Sequence, residues 1–457
     1  MKKVDLLVIG GSAGGILSAT TARKAYGDID IAVIRDTKTV MIPCGIPYIF
    51  GTLKDTKKNI IPDAALINNG IELIINKVIK IDKEKKCVET ADGDVIVYKK
   101  LILATGSLPI IPTFIEGYNL ENVFPVNKDE KYLNKVLLTA QTAKNIVVIG
   151  GGFIGVEFAE QFAKDGKNVS LVELVDSCLS VAFDIEYANE LEEKMKENGV
   201  NIRTSCRVVK INGDTVVTSI ELDSGEKIPA DMVILGLGAR PNGKLAAEAG
   251  IEVNSRGAIV VDQYTRTNDP NIFAVGDCAA KRCFFTGKDV PILLASTATA
   301  EAKIAGSNAF ELRLVRENKG TISAFATKVF GRTFAAAGMT EAFAKKEGFS
   351  YIIGETKTFD KHPGNLPGAQ LMHVKFIFSK CSGVTLGAQI SGGDSAAEMI
   401  NVLSLSIQNG ITASQLNTFQ SATHPLVTAS PLAYPINAAA MDAVSKNCVL
   451  LNAIDYK

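Results

Sequence analysis

One cysteine, Cys44, stands in the stretch "TVMIPCGIPYIFG" between two prolines and two glycines. Pro43 and Pro47 restrict the backbone around the thiol, and Gly45, lacking a side chain, lets another group come close. A thiol so placed is either a buried core residue, a common fate of free cysteine, or a nucleophile held for use. A second set of residues points to a dinucleotide. Gly150, Gly152 and Gly155 in "VVIGGGFIGVEF" form a full G-x-G-x-x-G pattern around Ile154. The first glycine permits a tight turn, the second lets the backbone approach a pyrophosphate, and the third lets a helix pack on a strand. The phosphates then meet the helix N-terminus. Glu173, 23 residues after Gly150, ends the next apolar run, where a carboxylate accepts from a ribose 2′-hydroxyl and disfavours a 2′-phosphate. The pattern predicts NADH in preference to NADPH.

A third set is a less regular version of the second. "GGSAGG" supplies Gly10 and Gly15, with Ser12 in place of the middle glycine and Ala13 beside it, and the next apolar run ends in Arg35 and Asp36. Either Asp36 takes the ribose role after a one-residue shift, or Arg35 faces the adenosine side.

Both glycine turns are set by the same elements. "KKVDLLVIGGSAGGILSATTARKAYGDIDIAVIRD" and "AKNIVVIGGGFIGVEFAEQFAKDGKNVSLVELVD" each read strand, turn, helix, strand. The aliphatic runs that open them suit strands buried on both faces of a parallel sheet. These are two βαβ units, so the chain is expected to carry two nucleotide-binding domains. From about Thr321 the pattern changes: "MHVKFIFSKCSGVTLGAQISG" alternates as antiparallel strands do, and "SAAEMINVLSLSIQNG" has a helical period closed by a glycine.

At 457 residues the chain is long enough for several domains. Lys plus Arg and Asp plus Glu number 49 each, a balance that implies no nucleic-acid face and favours a small-molecule substrate. The eight cysteines are irregularly spaced, which suits neither a disulfide framework nor zinc and predicts a reducing, cytoplasmic setting. The apolar N-terminal run is too short for a signal peptide, and no apolar run reaches the ~18 residues of a membrane span.

Two βαβ units, a cysteine after the first, "LILATGS" with Ala104, Thr105 and Gly106, and "NIFAVGDCA" together resemble the FAD-dependent pyridine nucleotide-disulfide oxidoreductases. "PCGIPYIFG" is similar to the single-cysteine branch that holds coenzyme A disulfide reductase, NADH oxidase and NADH peroxidase. The resemblance implies an α/β homodimer with two Rossmann-like domains. FAD would bind a split domain, 1–112 with 244–320, and NAD the segment 113–243, followed by an α+β dimerisation domain at 321–457. It places Asp277 on the flavin's ribityl chain, the helix that begins at Ala295 at the flavin pyrimidine end, Pro43, Ala104, Thr105 and Gly106 along the FAD, and Glu157 near the nicotinamide.

Two-cysteine relatives carry a partner five residues after the first, where this chain has Ile49. A lone thiol cycles through a mixed disulfide, a persulfide or a sulfenic acid. Cys278 and Cys283 have a C-x4-C spacing, but Cys278 directly follows the ribityl aspartate, where small residues pack. Oxidases and peroxidases of the branch carry a histidine at the position of Ala13, so the resemblance favours a disulfide, persulfide or polysulfide acceptor, a coenzyme A derivative among them, over oxygen or peroxide. Thr21, Lys24 and Pro43 depart from the residues that hold coenzyme A in the family. Tyr434 or His424 of the partner subunit is the expected acid for the leaving thiol, and His362 lies in a segment similar to one near the substrate entrance. The rival readings are an NADH oxidase or peroxidase and a slow redox-sensing flavoprotein.

Overall fold

The structure, a computed structural model, describes residues 1–315 and 318–455, with side chains described as far as Lys446. The chain groups into two units: 1–144 with 211–218 and 231–321, and 145–210 with 219–230 and 322 onward.

The first unit is built on the strand Lys2–Ile9. Successive side chains of a strand point to opposite faces, and here both faces are buried. Leu7 and Ile9 join one apolar cluster with Ala32, Ile34 and Leu101, while Leu6 and Val8 join another with Ile31, Val33 and Ile102. The parallel neighbours are Ile31–Arg35 and Val95–Leu103, with Glu72–Ile75 beyond the first and Ile272–Ala274 beside the second. Two antiparallel strands, Cys87–Thr90 and Val78–Asp82, complete a seven-stranded sheet. Each fully buried aliphatic side chain stabilises by ~1.5–3 kcal/mol, so the sheet centre is a firm base for the loops at its edge. The helix Ala13–Tyr26 follows the first glycine turn and ends at Gly27, whose N–H donates to the Arg23 carbonyl. It lies against the helix Ala295–Ser307, where a Cβ on Gly306 would fall 2.5 Å from the Ser18 carbonyl oxygen.

In the second unit the strands Asn145–Ile149, Asn168–Val172 and Val200–Arg203 run parallel, with the helix Phe153–Lys164 after the glycine turn. An antiparallel sheet of five strands follows, in the order Phe325–Val329, Arg332–Gly338, Thr385–Gly392, Leu371–Ser379, Tyr351–Phe359. Its first hairpin turns through Phe330 and Gly331, both at positive φ, the conformation that matches the twist of the flanking strands. The helical period seen after Ser395 forms the helix Ser395–Gln408, and Pro435–Asp455 is the last helix. Among the described residues no helix is long and apolar enough to cross a membrane.

Candidate active site

Cys44 is the middle residue of a 3-10 turn, Pro43–Gly45, entered from an extended Ile42. Pro43 suits the first position of such a turn, where an N–H would have no partner. Asn59 locks the turn: its Nδ2 donates to the Ile42 carbonyl and its own carbonyl accepts from the Ile42 N–H, each at 2.9 Å. A Cβ on Gly45 would fall 1.9 Å from Asn59 Oδ1, so this approach requires glycine. Cys44 itself is exposed. Ile49, at the place of a second cysteine, is fully buried.

The other groups of the first unit form a cradle. Gly10 has φ 115°, and a Cβ there would lie 2.1 Å from the Ala104 carbonyl oxygen. A Cβ on Gly15 would lie 1.8 Å from the Gly10 oxygen, so helix and strand meet with no side chain between them. Ser12 is the N-cap of the helix and Ala13 its first residue. Thr105 Oγ1 donates to the Asn242 carbonyl (2.6 Å), Asn242 Nδ2 returns a bond to the Thr105 carbonyl (3.2 Å), and Gly106 follows at φ 69°. Asp277 sits in the turn Gly276–Cys278. Its carboxylate accepts from Ser107 Oγ at 2.7 Å and lies 3.6 Å from Lys128 Nζ, which also donates to Ser107.

Lys281 and Glu301, both buried, hold that turn from behind. Lys281 Nζ donates to Glu301 (3.0 Å) and to the Gly276 carbonyl (2.6 Å), and Glu301 accepts from the Gly276 N–H (2.8 Å). Burial pushes the Glu301 carboxyl up, and the Lys281 charge draws it part of the way back. Glu301 lies on the helix that begins at Ala295, whose first turn has no side-chain cap and whose Ala295 and Ser296 are exposed. Its first N–H groups are thereby open to a ligand. A phosphate approach without side chains, a carboxylate in a hydroxyl network and an uncapped helix start fit a flavin dinucleotide. Of the two strand-end residues, Asp36 is exposed and Arg35 buried. Cys278 and Cys283 are also buried, and burial pushes the Cys278 thiol up, the setting of an inert sulfur.

The turn of the second unit repeats the device. Gly150 has φ 109°, and a Cβ on Gly155 would fall 1.8 Å from the Gly150 oxygen. Gly152 has open space around it, and Ile154 lies half-buried in the first helical turn. Glu173 follows its strand directly: one carboxylate oxygen accepts from the Gly151 N–H and the other from the Val175 N–H. One turn further along the helix, Glu157 accepts from Thr327 Oγ1 at 2.9 Å. Loss of solvent pushes its pKa up to about 7, with a contribution from the nearby Glu160 charge and a partial offset from the Thr327 bond.

In the C-terminal part, His424 is exposed, and its Nδ1 accepts from the Leu426 N–H at 3.3 Å. Tyr434 is half-buried, edge-on to Phe419 with ring centroids 6.0 Å apart, and burial raises its pKa. The His362 segment meets the His424 segment: the His362 N–H donates to the Pro425 carbonyl (3.1 Å), and its Nδ1 lies 3.0 Å from the Thr428 oxygen. Asn59, Ser107, Lys128, Lys281 and Glu301 were not picked out by spacing, because each acts through a partner distant in sequence. The one available signal was a lysine and a glutamate within otherwise small, apolar runs at "GDCAAK" and "ASTATAEAKIAG".

Comparison with known proteins gives the family. The pyridine nucleotide-disulphide oxidoreductase family matches residues 4–302, and its dimerisation domain matches residues 325–432. The NAD(P)H coenzyme A polysulfide/persulfide reductase of Pyrococcus horikoshii is 32% identical over 400 residues, 86% of this chain and 88% of the relative. The NADH oxidase of Methanocaldococcus jannaschii is 30% identical over 455 residues, 96% and 98% of the two chains. The solved NAD-dependent persulfide reductase from A. fulgidus superposes with a TM-score of 0.87 at 32% identity, covering 97% of this chain and 83% of that one. With these matches beside two glycine turns that each open a helix, the chain belongs to the pyridine nucleotide-disulphide oxidoreductases, enzymes that depend on FAD and use NAD(P)H.

Proposed function

We propose that the chain reduces a small disulfide, persulfide or polysulfide at the expense of NADH, with Cys44 as the sulfur nucleophile. The observation that carries this reading is an exposed thiol in a rigid turn of the same unit as the flavin cradle, with Ile49 buried where a resolving cysteine would stand. FAD, when bound, accepts two electrons from NADH and delivers them to sulfur. It would be held by the Gly10–Gly15 turn with Ser12 and Ala13, by Pro43 and Ala104–Gly106, by Asp277, and by the helix start at Ala295. Gly150, Gly152, Ile154 and Gly155 would hold NADH, with Glu173 on the adenosine ribose and Glu157 near the nicotinamide.

The Cys44 thiolate attacks one sulfur of the acceptor, forming a Cys44–S–S–R bond while the other half leaves as a thiolate. Tyr434 or His424 of the partner subunit of a homodimer protonates that leaving group. Two electrons, originally the NADH hydride, then break the mixed disulfide, releasing the second thiol and restoring the Cys44 thiolate. Lys24, exposed on the first helix, offers a charge to a phosphate, which keeps a coenzyme A persulfide or disulfide among the acceptors. The second reading, oxygen reduction, is favoured by the name of the M. jannaschii relative, while Ala13 leaves the first turn without an imidazole. An anaerobic screen of NADH oxidation with coenzyme A disulfide, its persulfide, polysulfide, glutathione disulfide, peroxide and, separately, oxygen tests the choice. Turnover with a sulfur acceptor well above that with oxygen and peroxide is expected; the reverse order would overturn the reading.

A further inference from the structure

The strand that follows the first glycine turn ends in a cation, where the strand that follows the second ends in a carboxylate. Arg35 occupies the place that Glu173 has in the second unit. An added Cβ on Gly11 would fall 2.5 Å from Arg35 Cδ and 3.4 Å from its Nη1, as one on Gly151 would fall 2.9 Å from Glu173 Oε2. The Arg35 side chain is almost fully buried, so its charge needs a partner. It has one in Asp63: Nη1 donates to Oδ1 at 2.6 Å and Nη2 to Oδ2 at 2.9 Å. Nε donates to the Thr37 carbonyl and Nη2 also to the Lys38 carbonyl, which leaves one N–H on Nη1 with no partner among the described residues. The Asp63 side chain remains 29% exposed.

We propose that Asp63, gripped by Arg35, supplies the carboxylate that receives the adenosine-ribose hydroxyls of FAD in the first unit. The inference rests on reading this unit as the flavin cradle. A carboxylate has about four acceptor sites, so the two-point contact with Arg35 leaves lone pairs for hydroxyl donors. The spare Nη1–H can in turn donate to a ribose oxygen. The donor thus stands next to Gly11 and the acceptor is bonded to the same guanidinium, a pairing that a diol can meet with both its donor and its acceptor. Asp36, exposed and adjacent in sequence, is not needed for this role. The planar fork of Arg35 fixes the carboxylate in one orientation, which a lysine at that position would not do.

The test uses apo-protein titrated with FAD, with FMN, and with the FAD analogue whose adenosine ribose lacks the 2′-hydroxyl, followed by flavin fluorescence. The wild type should bind FAD about tenfold or more tightly than the analogue, the scale of one hydrogen bond to a charged group. Asp63→Asn should bring that ratio to within about twofold and leave FMN affinity unchanged. The double variant Arg35→Glu/Asp63→Asn, which recreates the arrangement of Glu173, should restore the preference. A wild type that binds both dinucleotides equally overturns the proposal, as does an Asp63→Asn variant that loses FAD, analogue and FMN in proportion. A wild type that binds no FAD would overturn the flavin reading itself, a separate result.

Discussion

The two glycine turns share a backbone and differ in what stands beside it. Gly15 and Gly155 each leave 1.8 Å between a would-be Cβ and the oxygen of the turn's first glycine, and Gly10 and Gly150 adopt φ of 115° and 109°. Beside Gly11 lies Arg35 paired with Asp63; beside Gly151, Glu173 accepts directly from the backbone. Open space at each turn therefore comes from main-chain geometry alone, whereas the chemistry beside it is set by the side chain at the end of the next strand and its partners. The units differ in a second respect: the first carries an exposed thiol in a rigid turn, and the second carries a half-buried carboxylate, Glu157, after its turn.

If the units divide the reaction as proposed, each half can be broken while the other persists. The largest separation is expected from Cys44→Ser. A serine hydroxyl does not supply a thiolate's nucleophile at neutral pH, so sulfur reduction should fall ~10³-fold, roughly 4 kcal/mol of activation. Bleaching of the flavin by NADH in stopped flow should be unchanged. Near-normal sulfur turnover in this variant would remove the central role of Cys44. The complementary break is Gly155→Ala, whose Cβ collides with the Gly150 oxygen. The protein should stay yellow but lose NADH-driven bleaching by ~10² or more, whereas Gly15→Ala should purify without flavin; loss of flavin from both would show that the halves are not separable.

A smaller effect sharpens the charge difference. Glu173→Arg gives the second turn the cation found beside the first, and an arginine there accommodates a 2′-phosphate. The ratio of kcat/KM for NADH over NADPH should drop by ~10², about 2.7 kcal/mol, and an unchanged ratio would detach Glu173 from nucleotide choice. The smallest effect concerns Glu157. Its carboxyl is neutral below and charged above about pH 7, and, with the nicotinamide beside it as proposed, that negative charge favours the cation that hydride loss creates. The rate of flavin reduction should rise a few-fold through that pH, and Glu157→Gln should flatten the profile. Because the folded pKa lies above the ordinary 4.5, the linked stability is fully present below about pH 4.5 and is lost as pH rises through about 7. Thermal midpoints of wild type and Glu157→Gln should therefore diverge across that interval.

The parallel sheets were legible because runs such as "VDLLVIGG" are aliphatic at successive positions, which a strand buried on both faces requires, and the glycine spacing fixed where each helix begins. Glu173 was legible for the same reason: its distance from Gly150 is set by one helix and one strand. Asp63 was not. It lies 28 residues from Arg35, and only the fold brings the N-cap of a four-residue helix, Ala64–Ile67, beside the strand end. Lys128 beside Asp277 and Asn59 behind Cys44 belong to the same class, polar residues whose partners are chosen by tertiary structure. Local spacing encodes what one element does to the next; it carries no record of which loops meet at a sheet edge.

The Lys281–Glu301 pair joins the Asp277 turn to the helix that begins at Ala295 through bonds made wholly by the polypeptide. Those two walls keep their spacing on the strength of the chain itself, so a flavin docking between them as proposed need not wait for them to fold. Uptake of flavin by apo-protein should then be a single bimolecular phase, linear in flavin concentration, rather than one that saturates at the speed of a rearrangement.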